Sequence, residues 1–177
     1  MKCLSSLPRN HCPAWCEIRT SPEYVARHGE PASPDELTQH STLRLVNPWI
    51  RPEWNLVNSI GEVQRLTFRG KLVADTPDMS LDVALRGGGI TLLPLFTVIE
   101  AVRTGRLVRV LPEWRSPDIG VYALLPSRQF LNAKTTAWLE WTEKHIIPRV
   151  ESDAAFFLDL QATYSTRPAT PRSRKHR

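Results

Sequence analysis

An α/β fold with parallel strand pairings follows from three features of the sequence. Short apolar segments of strand length alternate with helical patterns, helix starts of the Ser-Pro or Thr-Pro type recur, and glycines close the helices. A chain of 177 residues has room for one domain with a sizeable core, and a hydrophobic content of 41% with 23% charged residues is ordinary for a globular protein.

The elements follow in order. In SPEYVARHGEP (21–31), Ser21 is placed to cap a short helix, Pro22 takes the first position and Gly29 stops it. SPDELTQHS (33–41) repeats the device, with Ser33 as N-cap and Glu36 spaced for a capping box. TLRLV (42–46) is a strand candidate, and NPWIRPEWNLV (47–57) reads as a loop leading into a strand at 54–57. EVQRLTF (62–68) alternates, which predicts a half-buried strand with Leu66 and Phe68 facing inward. KLVAD (71–75) is a further strand. Thr76 and Pro77 then start a helix, with the Thr76 hydroxyl placed to accept a free backbone N–H and Asp78 in the first turn. Met79 with Val83, and Leu81 with Leu85, predict a helix buried over much of its circumference.

Gly87, Gly88 and Gly89 invite comparison with a phosphate cradle. Such a loop needs the free N–H groups of a helix start, whereas these glycines follow a helix and precede ITLLP (90–94), a run suited to a strand covered on both faces. Leu92 stands where a dinucleotide motif has its third glycine, and no Lys-Ser or Lys-Thr follows. The glycines are turn chemistry. In LFTVIEAVRTG (95–105), Leu95, Ile99 and Val102 form one stripe, Arg103 sits in the last turn and Gly105 is the stop. LVRVL (107–111) and IGVYALL (119–125) read as strands. NAKTTAWLEWTEKHI (132–146) is a helix capped by Asn132, with Trp138, Trp141 and His145 on one face.

The net charge of +5 belongs to the tail, and the body is neutral. Of 23 basic residues, Arg167, Arg172, Arg174, Lys175 and Arg177 lie in the Pro-, Ser- and Thr-rich segment 166–177, leaving 18 against 18 acidic residues elsewhere. That tail has nothing to bury and is expected to be a disordered, solvated segment, the alternative being contact with an acidic partner or nucleic acid. No run reaches the roughly 18–20 apolar residues that span a bilayer, and the amino end lacks a secretory apolar region, so the expected location is the cytoplasm. Cys3, Cys12 and Cys16 cluster near His11. Those residue types suit zinc, but the spacing is loose and no second cluster follows; the expectation is free thiols and no metal. His28 and His40 flank helix stops, where a partly positive ring is comfortable. Neither G-x-S-x-G nor H-E-x-x-H occurs, and the chain is read as non-enzymatic, with no cofactor. In open α/β sheets ligands gather where strand carboxyl ends meet helix amino ends. Asp75 and Thr76 occupy such a junction, either as a ligand site or as an ordinary cap.

SPEYVARHGEPASPDELTQHSTLRL, Trp54, GKLVADTPDMSLDVALRGGGITLLPLF, GRLVRVLPEW and VYALLPSRQFLNAKTTAWLEW together resemble the effector-binding region of LysR-type transcriptional regulators, from about Ser21 to Ile147. The resemblance implies a fold like type II periplasmic binding proteins, with residues 21–126 as the second lobe and 133–147 as a helix returning to the first. It also implies a small-molecule effector held at the cleft by Pro52, Glu53 and Trp54 and by Asp75 and Thr76, although Trp54 is equally suited to a core. The helix-turn-helix and the first half of lobe one have no counterpart, so sequence-specific DNA binding is not expected of this chain. Residues 1–20 match nothing in the family and read as a leader, residues 21–150 as the effector-binding domain, and 151–177 as an extension. With lobe one absent, the face of Trp138, Leu139 and Trp141 is expected to pair with another copy or with a full-length regulator. The alternative to an effector-binding domain is an interaction module that works without a ligand.

Overall fold

A computed structural model of the chain describes residues 14–45, 53–68, 72–119 and 132–165. Eight strands among them form one sheet: β1 (Cys16–Thr20), β2 (Thr42–Leu45), β3 (Trp54–Asn58), β4 (Val63–Leu66), β5 (Leu72–Ala74), β6 (Ile90–Pro94), β7 (Val108–Arg109) and β8 (Trp114–Arg115). Its order is β4-β3-β8-β1-β6-β2-β5, with β7 beside β1. The expected parallel pairings hold for β2 with β5 and with β6. Every other pairing is antiparallel, so the sheet is mixed. The β3–β4 pair is joined by a tight turn and has no other choice of direction.

The helices are α1 (Pro22–His28), α2 (Pro77–Leu85), α3 (Leu95–Arg103), α4 (Ala133–His145) and α5 (Ile147–Ser165). α1 begins as read, with Ser21 accepting from the Tyr24 N–H at 3.2 Å and Gly29 closing it at φ +78°. Pro34–Gln39 is a 3-10 helix and lacks the expected capping box. Ser33 makes no side-chain cap, and Glu36 Oε2 instead accepts from the Ala32 N–H at 2.8 Å. α2 differs too: its buried stripe is Ser80 and Ala84, while Met79 is exposed. In α3 the most buried positions are Leu95, Val98 and Ala101, with Ile99 and Val102 packed beside them. The glycine turn has the expected role. Gly87 adopts φ +72°, and a side chain at Gly89 would run into the Ser41 carbonyl, which accepts from the Ile90 N–H at 2.8 Å.

Residues 16–20, expected to belong to an unmatched leader, form β1, a central strand running antiparallel to β6 with Ile18 opposite Leu92. The two cores lie on opposite faces of this sheet. Ile18, Tyr24, Trp54, Leu56, Leu66 and Phe68 belong to one; Trp15, Leu93, Val98 and Phe157 belong to the other. Because strand neighbours alternate in direction, Glu17 and Arg19 point away from Ile18 and under α5, and both are almost fully buried. Glu17 holds two cations: Arg19 Nε donates to Oε2 at 3.0 Å, and Arg109 Nη1 lies 3.1 Å from Oε1. The Trp15 indole N–H adds a third donor at 3.3 Å.

Cys16 donates its backbone N–H to the Ser116 hydroxyl at 2.7 Å. Burial pushes its thiol up to about 12, with the Ser116 hydrogen bond opposing by less. A thiol held protonated is neither a ready nucleophile nor a ready metal ligand. Cys3, His11 and Cys12 lie outside the described residues, as do Pro52, most of the expected strand 119–125 and the basic tail 166–177.

α4 starts as read, with Asn132 Oδ1 accepting from the Thr135 N–H at 2.8 Å. Its tryptophans stay wet: Trp138 is 56% and Trp141 54% exposed, and Trp141 stacks on His145 at 4.8 Å between ring centroids. The segment from 151, expected as an extension, is helical through Ser165 and continues α5. Ala154 and Phe157 bury in the core, and Arg103 reaches Asp153 at 3.8 Å. None of the described helices is long and apolar enough to cross a membrane.

His40 departs from its expectation. Tyr24 accepts from the Ser41 N–H at 2.9 Å, which leaves the phenol proton free to meet His40 Nδ1 at 3.1 Å. Burial first, and then the neighbouring His28, lower the His40 pKa below its usual value, with Glu36 opposing. The unfolded chain therefore takes up a proton that the folded chain resists, and stability falls as pH drops below about 6.5. Denaturant midpoints between pH 8 and pH 5 should fall more steeply for the wild type than for His40→Gln, which keeps a hydrogen-bonding group but cannot titrate. Parallel profiles would remove His40 as the cause.

Candidate functional site

The β3–β4 hairpin sorts its side chains by alternation. Trp54, Leu56, Leu66 and Phe68 turn inward and are buried, as the period-two pattern predicts. Trp54, 6% exposed, meets Phe68 edge-on at 4.9 Å, so its ring belongs to the core rather than to a ligand-facing surface. Register is fixed by Asn58, whose Oδ1 accepts from the N–H groups of Ile60 (3.2 Å) and Glu62 (2.9 Å).

With one face committed to the core, the other is forced outward. Glu53, Asn55, Val63, Arg65 and Thr67 line an open depression of about 490 Å³, closed on one side by Pro117 from the loop after β8. Asn55 sits directly across from Arg65. Glu53 was the one member singled out from sequence. Asn55, Arg65 and Thr67 were missed, although the alternation that sends Leu66 and Phe68 inward also sends them out. The side chains of Glu53, Asn55, Arg65 and Thr67 form no ion pair or hydrogen bond with one another or with any other described residue.

Asp75 and Thr76 lie at the other end of the strand path, after β5. Both are exposed. Thr76 has the extended backbone of an N-cap, and its carbonyl accepts the Ser80 N–H at 3.4 Å, but its hydroxyl makes no cap, contrary to expectation. Two polar stations thus stand apart along the sheet. Pro52 lies outside the described residues.

The sequence profile of the LysR substrate binding domain matches residues 18–146. The chain belongs to this family. The LysR match begins within β1, so residues 18–20 are part of the domain rather than of a leader. Among curated relatives, the HTH-type transcriptional regulator YhjC of Escherichia coli (strain K12) is 34% identical over 122 residues, 68% of this chain and 41% of that protein. The HTH-type transcriptional regulator PtxR of Pseudomonas aeruginosa is 30% identical over 143 residues, 77% of this chain and 45% of that protein. The chain therefore spans less than half the length of these relatives. Among solved structures, the regulatory domain of AphB in Vibrio vulnificus superposes with a TM-score of 0.62 at 29% identity, covering 75% of this chain and 65% of that one. The regulatory domain of CrgA from Neisseria meningitidis gives 0.58 at 26%, with the same coverage. The fold is thus that of LysR regulatory domains, the type II periplasmic-binding-protein-like α/β class, and the family is one of transcription regulators.

Proposed function

We propose that this LysR domain is the effector-receiving part of a bacterial transcription regulator working in the cytoplasm, and that it holds a small molecule without performing chemistry on it. The observation that carries the reading is a pair of polar stations, the half-buried Glu53 at the head of β3 and the exposed Asp75–Thr76 at the head of α2, whose side chains make no hydrogen bond or ion pair among the described residues. A helix start with an uncommitted hydroxyl and free N–H groups favours a polar or anionic ligand. Pro52 is carried in this proposal by the family resemblance, and Trp54 as the core anchor that sets the direction of Glu53.

Thermal-shift screening of the full chain with aromatic acids, amino-acid derivatives and phosphorylated metabolites tests it. A ligand-induced rise should appear for one class, and Thr76→Val should weaken that ligand by about 1 kcal/mol, the worth of one neutral hydrogen bond. A ligand whose affinity is unchanged in Thr76→Val and in Asp75→Asn would remove this station from the site.

A second reading is favoured by α4, where two half-exposed tryptophans stand beside the half-buried Leu139 on a helix with no buried residue. Here the chain acts by protein contact, with another copy or with a full-length regulator. Co-purification with such a regulator, together with silence across the ligand screen, would favour this reading over the first.

A further inference from the structure

The outward face of the β3–β4 hairpin carries a chemistry that the family match does not assign. Glu53 and Thr67 precede and follow the paired residues Trp54 and Leu66, while Asn55 and Arg65 face one another in register. Glu53 and Arg65 are therefore diagonal neighbours on one face, about 7–8 Å apart at the backbone, a separation that long side chains bridge. They form no ion pair among the described residues. A carboxylate and a guanidinium thus flank a gap, an amide and a hydroxyl stand beside them, and Val63 and Pro117 supply apolar wall. The depression, about 490 Å³, is large enough for a small metabolite.

We propose that this face binds a small zwitterion of the α-amino-acid type, resting on the effector-receiving reading above. Arg65 takes the ligand carboxylate in the forked geometry that guanidinium favours. Glu53 takes the ammonium group, Asn55 and Thr67 complete the polar contacts, and an apolar side chain lies along Val63 and Pro117. The opposed charges set the specificity: a ligand bearing only one of its two charges leaves the other protein group unmatched.

The test is titration of the isotope-labelled full chain with the twenty common L-amino acids, followed by N-acetyl and amide derivatives of the tightest binder. Backbone amide signals of Asn55, Arg65 and Thr67 should move. Removing either ligand charge, or making Arg65→Gln or Glu53→Gln, should weaken binding about tenfold. Both substitutions lie on a solvent face, and unchanged circular dichroism verifies that the fold is kept. Loss of the ligand carboxylate should hurt the wild type but not Arg65→Gln, and loss of the amine should hurt the wild type but not Glu53→Gln. Equal binding of the capped derivatives, or no hairpin response to any amino acid, overturns the proposal. A ligand that moves Asp75 and Thr76 while sparing the hairpin overturns it too, and leaves the effector-receiving reading intact.

Discussion

Glu17→Gln is expected to destabilise the domain by about 3–5 kcal/mol, the cost of removing one partner from a buried charge cluster. Glu17 is fully buried and is the anion between Arg19 and Arg109, whose side chains are only 1% exposed. The amide keeps the shape and one acceptor but removes the charge, so the two buried guanidinium groups lose the anion they share. Arg19 is the more vulnerable, since its side-chain hydrogen bonds go, among the described residues, to Glu17 alone, whereas Arg109 Nη2 also reaches the Trp114 carbonyl at 3.5 Å. Urea titration of the two proteins measures the effect. Replacing Glu17, Arg19 and Arg109 together by Met should recover much of the loss, because the desolvation cost of the charges disappears with them. A single Glu17→Gln change costing less than about 1 kcal/mol would mean that water reaches the cluster.

Phe157→Ala is the second large effect, at about 3–5 kcal/mol for a buried aromatic. Phe157 is fully buried, packs with Ala154 into the cluster of Trp15, Leu93, Leu95 and Val98, and lies with its ring 5.4 Å from the Arg19 guanidinium carbon. Its loss opens a cavity and removes the cover over the charge cluster beneath. Chemical denaturation should show the loss in full, with Trp15 fluorescence shifting red as water enters. If α5 were only loosely docked, the substitution would cost about as much as a surface change, within about 0.5 kcal/mol.

These two sites also mark what the sequence conceals. Ser21-Pro22 to Gly29, the inward turn of Leu66 and Phe68, the Asn132 cap and the glycine turn are all written locally, in cap chemistry and period-two alternation, and all appear in the structure. β1 is not so written. CEIRT places two charges in five residues, which reads as polar surface, and only Arg109, ninety residues away, makes Glu17 and Arg19 compatible with the interior. The single hint was the spacing of opposite charges two apart, which puts them on one face of a strand. α5 matches no expected element: residues 151–177 read only as an extension, and Pro148 is compatible with the helix because proline is at home in a first helical turn. The Thr76 hydroxyl was assigned to capping because Thr-Pro ordinarily signals it, yet whether a side chain turns inward to cap or outward to solvent is settled by its surroundings. At the hairpin the polar face was legible in principle: once Trp54 and Leu56 are placed inside, Glu53 and Asn55 have nowhere to go but out.

On the proposed function, the fold presents polar groups to a metabolite and does nothing further to it. Amide chemical-shift mapping of the full chain against a mixed library of carboxylic acids, amino acids and phosphorylated metabolites tests it most directly. Saturable shifts confined to residues 53–55, 65–67 and 75–78 are expected, with every ligand recovered chemically unchanged. A library that leaves all three segments still, or one that moves only Trp138, Trp141 and their neighbours on α4, would contradict it.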